Sequence, residues 1–418
     1  MLKSLFANDA FAVVRIANFR YFLGYRFLMT MATLMQSVIV GWHIYFLTKN
    51  VFWLGFVGLV EVIPQVGISL FAGHYIDLWN RKKIIGFTTS LLLIGSAILF
   101  VFSIESLNFY ALLGIWPIFV TVFLTGLARG ILMPAHTALM GNLVEKKFYA
   151  NAATWSSINW HVGAVLGPAF GGVIYALGGI QFAYFSVFLI YLLSLLLVLK
   201  LQVASRTQIT VNGEESIFSR IKEGIHFVLK TPELVGAFSL DMFAVLFGGA
   251  VAMLPVFASD VLHVGPAGLG FLRACPALGA IVMSVYLMFN PPTKNSGRLL
   301  LAAVAGFGLC MIGFAFSQSF WLSASLLVLS GFFDNVSVVI RGTILQLYTP
   351  DAMRGRVASV NSIFIGSSNE LGAFESGATA KLMGLVPSVV FGGVMTLVVV
   401  GVMAKTNPVL RKLNINSR

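Results

Sequence analysis

Charge is what this sequence has least of. Only 10% of its 418 residues are Asp, Glu, Lys or Arg, against 58% hydrophobic residues. A mean hydropathy of +0.92 excludes a surface made for water and leaves lipid as the main solvent. Acidic residues are scarcer than basic ones, 15 against 27, for a formal net charge of +12. Cysteine is nearly missing: Cys275 and Cys310 sit in apolar runs without a CxxC or His-spaced pattern, so neither a disulfide framework nor a metal site is expected. The sequence also lacks a nucleotide-binding loop, a metal-ligand cluster and a nucleophile–base pattern, so enzyme chemistry and a cofactor are not expected. The first twenty residues, with Lys3, Arg15 and Arg20, are too mixed for a signal-peptide core, and no cleaved targeting segment is expected.

What the chain has is apolar runs. Crossing ~30 Å of hydrocarbon takes ~20 mostly apolar helical residues, because lipid offers no partner to an unsatisfied backbone group. That length criterion predicts an all-α membrane protein of twelve spans, at roughly 20–47, 53–75, 84–104, 114–141, 152–178, 181–200, 232–258, 266–290, 298–317, 320–346, 356–383 and 387–405. Of the 27 Lys and Arg, 21 fall on the amino-terminal side, Lys49 alone on the other, and Arg26, Arg129, Arg273, Arg341 and Lys381 within spans. The positive-inside rule then puts both termini in the cytosol, and makes the basic excess a matter of loops and bilayer rather than nucleic acid.

Residues 201–231 form the longest polar break and read as a cytosolic linker between an amino-terminal bundle, 1–200, and a carboxyl-terminal bundle, 232–418. Within it, Phe218, Ile221, Ile225 and Phe227 suit either an amphipathic helix on the membrane surface or a plain tether. At an offset of 205 the chain matches itself: Gly126 with Gly331, Ser157-Ile158 with Ser362-Ile363, Leu166-Gly167 with Leu371-Gly372, and Gly179 with Gly384. Spans 4–5 thus correspond to spans 10–11, a parallel repeat of six spans, for which substrate is expected at the midplane and transport by alternating access.

Between spans 2 and 3 stands GHYIDLWNRKK, with Gly73, Asp77, Arg81, Lys82 and Lys83. Glycine permits close approach of helix ends, aspartate suits the positive end of a neighbouring helix, and the basic cluster suits anionic headgroups. Span 5 carries GAVLGPAFGG, with Gly163, Gly167, Pro168, Gly171 and Gly172, a run that combines small-residue packing with a proline bend. These two motifs resemble the loop signature and the antiporter-type glycine–proline signature of the major facilitator superfamily, with Asn80 standing where the loop signature usually has glycine. TPDAMRGRVASVN at 349–361 and LMPAHTALMGNLV at 132–144 narrow the resemblance to the branch of macrolide-efflux-type and enterobactin-exporter-type carriers. It covers essentially the whole chain and implies the major facilitator fold, a cavity lined by spans 1, 4, 7 and 10, and export of amphipathic organic molecules. No Gln-Gly follows Arg129-Gly130, and NPPTKNSGR between spans 8 and 9 has lost the Gly/Asp pattern, so the halves are expected to lock differently.

Ionisable groups inside spans cost ~2.5–3.5 kcal/mol each on insertion scales and are functional suspects. Cavity candidates are Arg26, Met29, Gln36, Arg129, Asp334 and Arg341; Asp241, Glu370, Glu61, Asp334 and Glu375 are proton-coupling candidates. His161 and Arg273 join the charged set, and Arg273 is a candidate to neutralise a carboxylate near Glu61. Asp334 and Arg341 share a helix face but, seven residues or ~10 Å apart, are not expected to touch directly. Glu370 and Glu375, ~140° apart, face different surroundings. His43 near one span end reads first as an interfacial hydrogen-bonding group. Asp241 and Glu370 rank first for coupling because neither has a cation within one turn.

Two contacts are expected, Asp77 at the amino end of span 11 near Arg354-Gly355-Arg356 and the span 5 glycine run against span 8, and the expected partners are a small-molecule substrate near the midplane, protons and the lipid bilayer. The protein is expected in a bacterial-type cytoplasmic membrane, acting as a monomer on a small molecule by proton-coupled antiport. An importer or symporter and a lipid flippase are the competing readings.

Overall fold

In a computed structural model of the protein, residues 11–202, 217–350 and 353–415 are described, and every regular element among them is a helix. Spans 1 to 4 are Ala17–Thr48, Val51–Leu78, Arg81–Phe102 and Trp116–Leu143. Spans 5 and 6 run on as one helix, Tyr149–Lys200, interrupted at Gly179, whose φ of 74° only glycine adopts freely. Spans 8 to 12 are Gly265–Phe289, Ser296–Phe316, Phe320–Tyr348, Arg354–Met383 and Leu385–Thr406. Among the described residues ten helices are long and apolar enough to cross a bilayer. The difference from twelve has two causes: spans 5 and 6 share a helix, and span 11 carries Asn361, Ser367, Ser368, Asn369, Glu370 and Glu375, too polar a set to qualify by composition. Its polarity is a reason to look there for function.

Span 7 is the least regular. It begins with Pro232 in Pro232–Phe247, passes through a 3-10 turn at Gly249–Met253 and a single α turn at Leu254–Val256, and ends in a π turn at Phe257–Val261. The π turn is closed by the Leu262 amide on the Phe257 carbonyl, 2.8 Å. Such turns gather at functional positions because the extra residue re-aims its neighbours.

The chain divides into two compact units. The first comprises Met1–Val40 and Ile63–Asn212, the second Gly41–Val62 and Gly213–Arg418. Inside the first, span 5 lies on span 1: a Cβ on Gly163 would stand 3.0 Å from Thr30 Cγ2, on Gly167 2.7 Å from the Met31 carbonyl oxygen, and on Gly171 3.0 Å from Met35 Cγ. Glycine spacing specifies close approach but not the partner, and the partner of these three glycines inside the unit is span 1. The second unit repeats the contact, with a Cβ on Gly372 placed 2.8 Å from the Val245 carbonyl of span 7.

Leu234, Leu240, Leu300, Ile340, Ile344 and Val357 are among the core of the second unit. Val228 joins them from the helix Ile217–Lys230, which sits in the region expected to be the linker. That helix docks on the start of span 11, with Gly224 against the Arg356 carbonyl and Glu223 ion-paired to Arg356. Phe227 packs on the core and Ile225 is exposed, while the side chains of Phe218 and Ile221 lie outside the described residues.

Gly167→Leu forces a branched side chain into the Met31 carbonyl, an overpacking that costs about 1–3 kcal/mol or more. The purified variant should melt lower in detergent than the parent, whereas Gly401→Leu, with open space around it, should not. Equal melting of the two variants would contradict the close contact of spans 5 and 1.

Candidate functional site

Apolar helices bring polar side chains together only where they can satisfy one another, so the buried charges mark the site. In the second unit Asp241 of span 7 pairs with Arg341 of span 10, their side chains 8% and 9% exposed. Asp334, two turns before Arg341 on the same helix, lies within Coulombic reach of both. Two carboxylates therefore share one guanidinium, whose Nε makes no hydrogen bond among the described residues. Beside them Asn335 donates to Ser284 of span 8 at 3.1 Å. The premise that Asp241 is isolated is corrected. The partner is supplied by a helix 100 residues away in sequence, where no local rule looks.

A second such arrangement occupies the same unit. Arg273 of span 8 donates to the Val251 carbonyl at 2.6 Å and lies within Coulombic reach of Glu370 of span 11 and Glu61 of span 2. Spans 2 and 11 meet closely there, since a Cβ on Gly58 would strike the Glu370 carbonyl and one on Gly55 would stand 2.8 Å from Gly377 Cα. Glu370 is thus not isolated either, and the neutralising role expected for Arg273 has a geometry. Glu375, partly buried, turns away from Glu370 onto the face that holds the exposed Leu371 and Leu382.

Further along, Tyr45 of span 1 donates its hydroxyl to Asp260 on the π turn, and the Lys381 ammonium stands 4.8 Å from the Phe52 ring centre. His43 is buried, 7% exposed.

The first unit handles its polar groups differently. The Arg26 guanidinium lies over the Phe22 ring at 5.8 Å. One residue earlier, the fully buried Tyr25 shares a 2.8 Å hydrogen bond with His136 Nε2 of span 4, donates to Met29 Sδ at 3.0 Å, and is met by Thr89 of span 3. Composition alone does not reveal this Tyr25–His136 pair. His136 stood in a quoted motif, but the signal that links it to Tyr25 is purely spatial. Gln36, 4% exposed, donates to Thr125 at 3.4 Å, while its Oε1 and that of Gln65 find no donor among the described residues. Arg129 follows Thr125 by one turn and is half-buried, and Gly130 lets span 4 touch the Gln65 backbone. His161 Nδ1 bonds the Ser157 carbonyl at 2.8 Å on an exposed face.

The loop motif works as a helix cap. Asn80 Oδ1 accepts from the Lys82 and Lys83 amides at 3.0 and 3.4 Å, which accounts for asparagine where glycine is usual. Arg81 reaches the Ala138 carbonyl and Asn142 Oδ1 at the end of span 4, and Lys82 the Leu199 carbonyl at the end of span 6. Both cations thereby meet the negative ends of helices. The surroundings of Gly73 and the side chain of Asp77, and so the contact expected of Asp77, lie outside what is described.

The sequence profile described as transmembrane secretion effector, a major facilitator family, matches residues 8–417. Among curated proteins, the enterobactin exporter EntS of Escherichia coli O1:K1 is 27% identical over 406 residues, 96% of this chain and 92% of that protein. EntS of Shigella boydii serotype 18 matches to the same extent. Among solved structures, a POT family transporter in complex with 5-aminolevulinic acid superposes with a TM-score of 0.72 at 12% identity, covering 94% of this chain and 96% of that one. A bacterial homolog of the human lysosomal transporter Spinster, in an inward-facing and unoccupied conformation, gives 0.69 at 14%, covering 94% and 96%.

Removing the cation from a buried cluster is the costly step, about 3–5 kcal/mol, because uncompensated carboxylates remain. Arg341→Met should therefore lower the melting temperature well below the parent, and Asp241→Asn combined with Arg341→Met should recover most of the loss. Additive losses in the double variant would show that the pair carries no coupling.

Proposed function

Because the chain belongs to the transmembrane secretion effectors of the major facilitator superfamily, a family of secondary transporters rather than enzymes, we propose that it is a proton-coupled antiporter exporting an amphipathic small molecule, drug-like or siderophore-like, by alternating access. Support for export comes from the enterobactin exporter relative, matched over nearly its whole length, and from the glycine–proline run Gly163–Gly172. The loop charges favour both termini in the cytosol of a bacterial-type membrane. The unit acting alone is taken to be the monomer.

The observation that carries proton coupling is the Asp241–Arg341–Asp334 cluster. The buried Asp241 and the half-buried Asp334, both within Coulombic reach of one guanidinium, leave an unbalanced negative charge, and one bound proton removes it. Adding or withdrawing that proton switches the cluster between neutral and charged, which alters how strongly spans 7 and 10 hold together. A proton gradient can drive a cycle through such a difference. Asp241 lies on a span expected to line the cavity, so substrate and proton compete there directly. Glu61, Arg273 and Glu370 form a second cluster of the same kind, where protonation acts through the packing of spans 2, 8 and 11. Arg26, Met29, Gln36 and Arg129 are assigned to substrate contact in the first unit.

Candidate substrates come first from an export screen, with enterobactin and a panel of macrolides, in a strain stripped of its other exporters. In vesicles reconstituted with the hit, Asp241→Asn should lose pH-driven efflux at least about tenfold while keeping gradient-free counterflow, since one proton site is removed and binding remains. Glu370→Gln should do the same if the second cluster is the carrier. Retained pH dependence in both variants would move coupling elsewhere, and uptake instead of efflux would reverse the direction.

A further inference from the structure

We propose that the groove where spans 1, 3 and 6 end in the first unit is a binding site for the phosphate of an anionic phospholipid headgroup. The groove encloses about 640 Å³ and is bounded by Ala17, Asn18, Tyr21, Lys82, Lys200 and Gln202. Among the described residues none of its lining side chains is acidic, and two are lysines. Lys82 spends one of its three donors on the Leu199 carbonyl, 2.9 Å, which fixes the ammonium at the edge of the groove and leaves two donors for a ligand. Lys200 is exposed and ends the same helix. The opposite edge is held by two hydrogen bonds between Asn18 and Gln202, 2.8 and 3.1 Å, so the groove is preformed.

Depth selects the ligand. Lys82 opens span 3 and Lys200 closes span 6. Both ammonium groups thus lie where the hydrocarbon stops and headgroups begin. Tyr21 presents an amphipathic ring at that level, while Ile16, Leu199 and Leu201 supply apolar wall for a glycerol backbone. A free phosphate uses the lysines alone; a phospholipid uses the lysines and the apolar wall together. The inference rests on the membrane location of the chain and not on the proton-coupling reading, so either fails without the other.

The test is native mass spectrometry of the full-length chain released from detergent, with phosphatidylglycerol or phosphatidylethanolamine added. One phosphatidylglycerol should be retained about tenfold more tightly than phosphatidylethanolamine, and Lys82→Gln with Lys200→Gln should abolish the preference. Lys200→Gln alone, on an exposed side chain, should weaken retention roughly threefold with the melting temperature unchanged, and decides the matter if the double variant does not fold. Equal retention of the two lipids, or retention of phosphatidylglycerol unaffected by Lys200→Gln, overturns the proposal. Inorganic phosphate at millimolar concentration should not displace the lipid; if it does, the site reads a free anion and the lipid assignment is wrong.

Discussion

A guanidinium or carboxylate stripped of water must find its countercharge in the protein, and that requirement organises the second unit. Arg341 gathers Asp241 and Asp334, and Arg273 gathers Glu61 and Glu370. Each cluster draws on more than one helix, two in the first case and three in the second. The arginines thereby tie together helices that lie far apart in the sequence. In both clusters two carboxylates stand within Coulombic reach of one cation. The first unit meets the same requirement with softer partners: an aromatic face for Arg26, and helix carbonyl ends for Arg81 and Lys82.

The internal repeat is physical as well as textual. Gly179 and Gly384, matched in the alignment of the chain with itself, both have positive φ, 74° and 93°, and both join consecutive spans without an intervening loop. Gly167 and Gly372, matched in the same register, both admit a neighbouring backbone, of span 1 and of span 7. What recurs is a set of places where a side chain has no room. The register matches Arg129 with Asp334 but sets Gln36 against Asp241 and His136 against Arg341, so the two similar bundles hold their charges differently.

The twelve-span plan was legible because hydrocarbon thickness fixes a length that apolar runs either reach or miss. The repeat was legible because glycines at steric bottlenecks leave the same spacing twice. The partners were not. Gly163 to Gly172 announced close packing, yet span 1 and span 8 would satisfy that spacing equally. Asp241 read as isolated because local rules see four residues either way, and Arg341 stands 100 positions on. The Tyr25–His136 hydrogen bond was invisible for the same reason. Asn80, read only as a departure from a pattern, turned out to carry the cap of span 3, which the Asx preference at helix starts would have explained.

The turns on the sparsely charged side have a consequence for anything that approaches from there. Lys49, at φ 49°, turns the chain between spans 1 and 2 within two residues, His263, at φ 52°, turns it between spans 7 and 8, and Gly179 and Gly384 need a single residue each. Between spans 9 and 10 only residues 317–319 intervene. That leaves the stretch from Ser103 to Ile115, with its exposed Leu107, Leu112 and Leu113, as the one connection there of any length among the described residues. A macromolecule meeting this side would find almost no connecting polypeptide to grip except that stretch, itself folded into the short helices Glu105–Leu107 and Phe109–Leu113. The same economy makes it the natural place to insert an epitope or a fluorophore.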